Sequence, residues 1–299
     1  MSKQNELKRI LTHLRFPFSF FLLPIFLFGA THSHPWSGTP WPLLFILHAL
    51  VYPSSNGYNS LMDRDTGPIG GIEHPEEVPK SMFAVSIALD LFAIILSLLF
   101  YGWITGVLIS IYIAASRAYS YRGIRLKKYP ILGFVIVLLF QGALVFLLTD
   151  AALSGDISFT GTTIIGMIVS ALMIGASYPL TQIYQHEQDT ADGVNTLSNM
   201  LGVRGTFVFS FTLFALFNLS CFFYFFLEYT AWMIPMGLLL IVSMPAGKHL
   251  TTWAKKSWKD PSEASYHNAM TMSKKGAIGM NVFFLVLLMF ELIQSQPWN

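Results

Sequence analysis

A single cysteine, Cys221, stands in a chain of 299 residues. One thiol excludes an intramolecular disulfide and a thiolate-held metal cluster, and a nucleophile would need a partner base that the sequence does not mark. Charge is scarce as well. Asp, Glu, Lys and Arg make up 11% of the chain, 18 basic against 16 acidic residues, far below the share in a water-soluble domain. No glycine-rich phosphate loop of the P-loop kind occurs, and Gly67 to Gly71 reads as a flexible turn. The apolar stretches lack the alternation of barrel strands, and the first residues lack the small-residue cleavage site of a secretory signal.

What fills the chain instead is apolar. Hydrophobic residues make up 54% of it, with 26 Phe, 12 Tyr and 7 Trp. A spanning helix takes about 20 mostly apolar residues, and the bilayer makes each span satisfy its own backbone groups. The sequence therefore predicts an all-α, multi-pass membrane bundle of nine transmembrane helices, centred near Leu22, Leu47, Leu91, Ile109, Val137, Met167, Thr212, Leu239 and Leu285. So many spans leave room for one domain over residues 1–299. At about 1–15, Leu7, Ile10, Leu11 and Leu14 set against Lys3, Lys8 and Arg9 predict a helix lying on the membrane surface.

Basic residues orient such a bundle, because short cytoplasmic loops retain Lys and Arg. With nine spans, all 18 Lys and Arg fall on one side, and the connections on the other contain none. The expectation is a multi-pass protein of the cell membrane, N-terminus cytoplasmic and C-terminus outside. Trp36, Trp41, Trp103, Trp232 and Trp298 fall on the outer side, where indoles favour the headgroup layer. Basic residues distributed in this way follow topology and do not imply nucleic acid.

Two polar clusters interrupt the apolar pattern on the cytoplasmic side: Asn56, Asn59, Asp63 and Asp65 at the end of the second span, and Gln185, Glu187, Asp189 and Asp192 at the end of the sixth. Asn56, Asn59 and Asp63 share one face if their helix continues that far, and Gln182, Gln185, Asp189 and Asp192 do the same in theirs. Mg²⁺ prefers oxygen ligands and commonly bridges one or two carboxylates to substrate phosphates. A diphosphate between two acidic rims needs a metal or cations in between. The alternative is solvated loop acids, which is the preferred reading for Glu73, Glu76, Glu77, Asp260 and Glu263. The segment from Arg117 to Lys128 is open in the same way, either a positive-inside anchor or a cationic arm for phosphate oxygens.

These residues resemble the UbiA-type membrane prenyltransferases. The resemblance rests on Asn59-Ser-Leu-Met-Asp63-Arg64 followed by Gly67 to Gly71, on Tyr119-Ser120 through Arg125-Leu126-Lys127, and on Tyr184-Gln-His-Glu187-Gln-Asp189 leading to Gly193, Thr196 and Gly202. It implies a bundle around a central cavity, with Mg²⁺ and an isoprenyl diphosphate held at two Asp-rich cytoplasmic motifs. The implied activity is isoprenyl transfer to a lipophilic acceptor, such as an aromatic ring or quinone precursor. Asn59 and Asp63 match the first motif, while Gly67 stands in place of its last Asp and Asp65 substitutes. Asp189 matches the second, while Gln185 replaces its earlier acid and leaves Glu187 as a stand-in. The implied catalytic residues are Asp63, Asp189 and Asn59. Asn56, Arg64, Tyr119, Arg122, Arg125 and Lys127 would bind diphosphate, and Asp63, Asp65, Glu187 and Asp189 would hold the metal. A cyclase or lyase of the same fold, and a non-catalytic lipid-binding or transport relative, are the competing classes.

The other polar residues read as structural. Asp90 in mid-span favours a packing contact, and Gln141, Asn218 and Asn281 interhelical hydrogen bonds. His186 fits a helix-end hydrogen bond better than a metal ligand. The connection from Gly247 to Lys274, with Trp253 and Trp258, suggests an interfacial helix or a lid.

Overall fold

The computed structural model describes residues 3–294. Every regular element among them is helical, and the one β-bridge, Ile69 to Ile72, is an isolated pair in a loop. Helix α1 (Lys3–Leu14) leads through a 3-10 turn at Phe16–Phe21 into α2 (Leu23–His32). Then α3 (Pro40–Phe45) runs through a π-helical stretch, Ile46–Val51, into α4 (Tyr52–Asp63). Helix α5 is Met82–Ser120; α6 (Pro130–Val137) and α7 (Val145–Ser154) are joined by a second π-helical stretch, Leu138–Leu144. There follow α8 (Gly161–Ser177), the short α9 (His186–Ala191), α10 (Leu197–Glu228), α11 (Met233–Lys259) and α12 (Tyr266–Gln294).

Among the described residues six helices are long and apolar enough to cross a membrane, or seven if the bent pair Gln4–Phe21 and Leu23–His32 counts as one span. The protein is a membrane-embedded helical bundle. This count by length and apolarity does not confirm the expected nine, and two segments account for the difference. Helix α5 has 39 residues, about 58 Å at 1.5 Å per residue, nearly twice the ~30 Å hydrocarbon core. Gly102 breaks it with φ 80, ψ −172, a conformation that costs glycine little and other residues much. The stretch 40–63 has the length of a span but carries prolines, His48 and polar turns from Ser54 onward.

Phe28 of α2 packs against Phe146 of α7, Tyr224 of α10 and Phe284 of α12, each at a centroid separation of 4.8 Å. Small residues let backbones close in where lipid offers no hydrophobic drive for association. A Cβ on Gly142 would lie 2.6 Å from Ala171 Cα, so the π-helical stretch seats directly on α8. Together these contacts fill the interior at the His32 end of α2. The opposite end, where α4 and α8 finish, is open.

One expectation is corrected here. The stretch 247–274 holds no separate α-helix: α11 continues unbroken to Lys259, with Trp253 buried against Phe207 (centroids 4.9 Å apart) and its indole donating to Glu263 O at 2.7 Å, and only the 3-10 turn Pro261–Glu263 stands between it and α12. Residues Lys3–Leu14 form helix α1, with Leu7 and Leu11 exposed and Leu14 buried. Trp298 and the C-terminal residue lie outside the described residues.

Candidate active site

Helix α4 does continue to Asp63, so the i, i+3, i+7 spacing sets Asn56, Asn59 and Asp63 on one face, and all three line a cavity. The second rim is built differently from the expectation. Helix α8 ends at Ser177; a 3-10 turn, Pro179–Thr181, intervenes, and α9 is a separate helix. Gln182, Gln185 and Asp189 still reach the cavity wall, but Asp192 faces Arg125 outside it. Pro179 cannot donate the backbone bond that would carry α8 onward.

Asp63 is buried at the C-terminal end of α4, where the helix dipole favours cations. Two are supplied. Lys127 Nζ lies 2.5 Å from its Oδ2 and Arg125 Nη2 lies 3.6 Å from its Oδ1. Arg125 also pairs with Asp192 and donates to Asp192 O at 3.1 Å, tying the two rims together. Arg122 donates to Met62 O at 2.6 Å and Asp63 O at 3.1 Å, caps α4, and pairs with Asp192 at 3.6 Å. Arg117 is not part of this group. It is paired with Asp90 (Nε to Oδ2, 3.0 Å) and covers the Tyr58 ring at 4.1 Å, so Asp90 is a packing contact, as expected.

Further bonds close the mouth. Gln188 Nε2 donates to Asp65 Oδ1 at 2.5 Å and Gln185 Nε2 to Pro68 O at 3.1 Å. Asn59 Nδ2 donates to Ser120 Oγ at 3.1 Å. The Tyr119 and Tyr178 hydroxyls are in contact, and Gln182 Nε2 donates to Tyr178 at 3.0 Å. Gln182 Oε1, Tyr184 Oη and Asp63 Oδ1 are buried without a hydrogen-bond partner. Burial pushes the Asp189 carboxyl up to about 7, against Lys127, which lowers it, and with the nearby Asp65 and Asp63 raising it further. Asp65 is raised for the same reason, burial first and Asp63 second.

The expected site residues thus divide. Asn56, Asn59, Asp63, Asp65, Tyr119, Lys127 and Asp189 line the cavity. Glu187 does not: it is exposed, because two residues along a helix turn about 200° and Gln185 and Asp189 take the cavity side of α9. Arg64 is exposed in a left-handed C-cap position (φ 55), and Arg122 and Arg125 lie behind the wall on Asp63 and Asp192. Among the described residues no group of three or more His, Cys, Asp and Glu side chains is arranged to hold a metal ion. The four expected metal ligands therefore form no cage of their own. The donor set fits a hard cation of the Mg²⁺ type, which takes one or two carboxylates and completes its shell with phosphate and water.

Sequence reasoning missed several wall residues. Gln141 and Phe140 face the cavity because the π-helical stretch shifts the register after Val137. Tyr112, Tyr178 and Arg15 also line it. His186 behaves as expected, with Nε2 bonded to Ser198 Oγ at 2.8 Å.

The model of the UbiA prenyltransferase family matches residues 18–274. A UbiA homolog from Archaeoglobus fulgidus bound to DMAPP and Mg²⁺ superposes with a TM-score of 0.67 at 15% identity, over 94% of this chain and 99% of that one. The same homolog bound to GPP and Mg²⁺ gives 0.65 at 14% identity, over 94% and 99%. A digeranylgeranylglyceryl phosphate synthase gives 0.55 at 18% identity, over 97% and 99%. A comparison with curated proteins found no significant match.

Proposed function

Since the chain belongs to the UbiA prenyltransferase family, we propose that it moves an isoprenyl group from an isoprenyl diphosphate to a lipophilic acceptor, an aromatic ring or quinone precursor. One observation carries this reading. Carboxylates from two separate rims, Asp63 and Asp65 on one and Asp189 on the other, line a single cavity with Lys127 and with an apolar interior. A carboxylate cluster with a cation suits a metal-bound diphosphate; an apolar interior suits its tail.

Asp63 and Asp189, with Asp65 beside them, would hold Mg²⁺ against the diphosphate, and Mg²⁺ when bound would neutralise charge on the leaving group. Lys127, with Arg125 behind Asp63, stabilises the same charge from the protein side. Asn56 and Asn59 offer amide donors from the adjoining turns of α4. In the transfer, the allylic C–O bond breaks and its electron pair leaves with the diphosphate. The acceptor then supplies the pair for the new bond and releases a proton. Val137, Phe140 and Tyr112 line the space in which the tail lies and from which water is excluded. Glu187, Arg64 and Arg122 have no part in this reading.

The basic residues of the mouth and of α1 support a cytoplasmic N-terminus in the cell membrane. Purified protein supplied with labelled isoprenyl diphosphates, Mg²⁺ and a panel of aromatic acceptors tests the proposal. Labelled acceptor adduct, lost in D63A and D189A, is the expected result. Cyclised or eliminated hydrocarbon formed without acceptor would instead assign a lyase.

A further inference from the structure

The scheme above leaves one buried cation of the cavity wall unused. Arg15 stands at the turn between α1 and the 3-10 helix Phe16–Phe21, in the left-handed conformation with φ 50. It is 8% exposed and lines the cavity with Phe18, Asn56 and Gly70. Its Nη1 donates to Gly70 O and its Nη2 to Asn56 O, both at 3.1 Å, while Nε is buried without a partner. A guanidinium carries five N–H donors, so most of its donor capacity is unspent.

The other cations near the mouth are matched with acids: Lys127 with Asp63, Arg125 with Asp63 and Asp192, Arg117 with Asp90. Among the described residues no carboxylate forms an ion pair with Arg15. A guanidinium keeps its charge at any relevant pH, and this one is hydrogen-bonded only to backbone carbonyls, lies over the Phe18 ring at 5.6 Å and feels Asp65 and Asp63 without pairing with either, so its burial is only partly compensated. The left-handed backbone at a non-glycine residue adds strain. An anion in the cavity removes the larger of these costs. Neutral Gly67 and Gln185, at positions where the family resemblance expects acids, also leave less negative charge in the mouth to repel an anion.

We propose that Arg15 binds the diphosphate of the isoprenyl donor directly, so that this chain holds the anion even without a divalent cation. The inference rests on the prenyltransferase reading of the cavity. Its neighbours Asn56 and Gly70 flank Asp63 and Asp65 in sequence on the first rim, at the end where the diphosphate sits, and a planar fork of donors matches phosphate oxygens.

The test is binding of inorganic pyrophosphate to the full chain in lipid nanodiscs containing EDTA, by calorimetry and by the rise in unfolding temperature. Wild type is expected to bind and to be stabilised. R15Q should weaken binding at least tenfold, and R15K by several-fold, because it keeps the charge and loses the fork. Should R15Q not accumulate, R15K decides, and an unchanged affinity there overturns the proposal. Loss of benzoate binding in R15Q with pyrophosphate binding intact also overturns it, in favour of a site for an acidic acceptor. Wild type that binds pyrophosphate only with Mg²⁺ overturns the inference and leaves the prenyltransferase reading standing. Wild type that binds neither pyrophosphate nor geranyl diphosphate at any Mg²⁺ concentration overturns both.

Discussion

Asp63→Asn and Lys127→Met separate the structural and chemical uses of one ion pair. The two side chains are 3% and 11% exposed, with Nζ 2.5 Å from Oδ2. Breaking a buried pair by removing one partner typically costs ~3–5 kcal/mol. The lower end applies here, since Arg125 still faces Asp63 when Lys127 is lost, and Asp65 and Asp189 still act on Lys127 when Asp63 is neutral. Each single variant should therefore lose roughly 3 kcal/mol of stability. The double variant should lose about 2 kcal/mol less than the sum, a coupling within the range for groups in contact. Turnover should behave otherwise. Both singles should fall at least ~100-fold, the scale of losing a charge-stabilising group, and the double should recover none of it, because removing both groups restores packing and not diphosphate binding. Unfolding midpoints in nanodiscs and initial rates with labelled geranyl diphosphate measure the two sides. Strictly additive stabilities, or turnover rescued in the double variant, would refute the assignment.

Glu187→Gln should leave Mg²⁺-dependent diphosphate affinity within about twofold, while Asp189→Asn weakens it at least tenfold, on the scale of one charge-assisted contact; titration calorimetry compares them. The Asp189 carboxyl, pushed up to about 7, holds a proton in the free protein at pH 6, and a metal ligand must lose it. Binding of Mg²⁺ and pyrophosphate should therefore release more protons from the wild type than from Asp189→Asn at pH 6, with the difference shrinking by pH 8, read from heats in buffers of different ionisation enthalpy. The sign for folding is the reverse of a salt-bridged acid. The group is harder to ionise folded than unfolded, so stability linked to it is greatest below the ordinary carboxylate range and declines as pH rises towards about 7. Gly142→Leu should abolish accumulation of folded protein, because its Cβ would meet Ala171 Cα at 2.6 Å and backbone cannot step aside; detergent-resistant, monodisperse yield after membrane extraction measures it.

The helical class, the membrane environment and the first rim were legible in the sequence for one reason. Apolar runs and an i, i+3, i+7 spacing are local, and α4 translates spacing into a face without help from the rest of the chain. The second rim was less legible. Gln182, Gln185, Asp189 and Asp192 carry the same spacing, yet Pro179 and the short α9 break the helix between them, so three line the cavity and Asp192 turns to Arg125. Nor does the spacing reveal burial: Asp63 is among the most buried acids of the described residues.

By itself, then, the sequence determined that this chain lies in a membrane as helices, and that two helix ends carry oxygen donors suited to a hard cation. Only the tertiary structure decided which charges meet. It divided the basic segment among four tasks: Arg117 on Asp90, Arg122 on the end of α4, Arg125 across the rims and Lys127 into the cavity. It also brought Arg15 to a wall formed by residues more than forty positions away. The physical reason is range. Backbone satisfaction and periodicity act over a few residues, whereas an ion pair or a cavity wall depends on where helices distant in sequence cross, and that is set by packing at contacts such as Gly142 on Ala171 and the rings around Phe28.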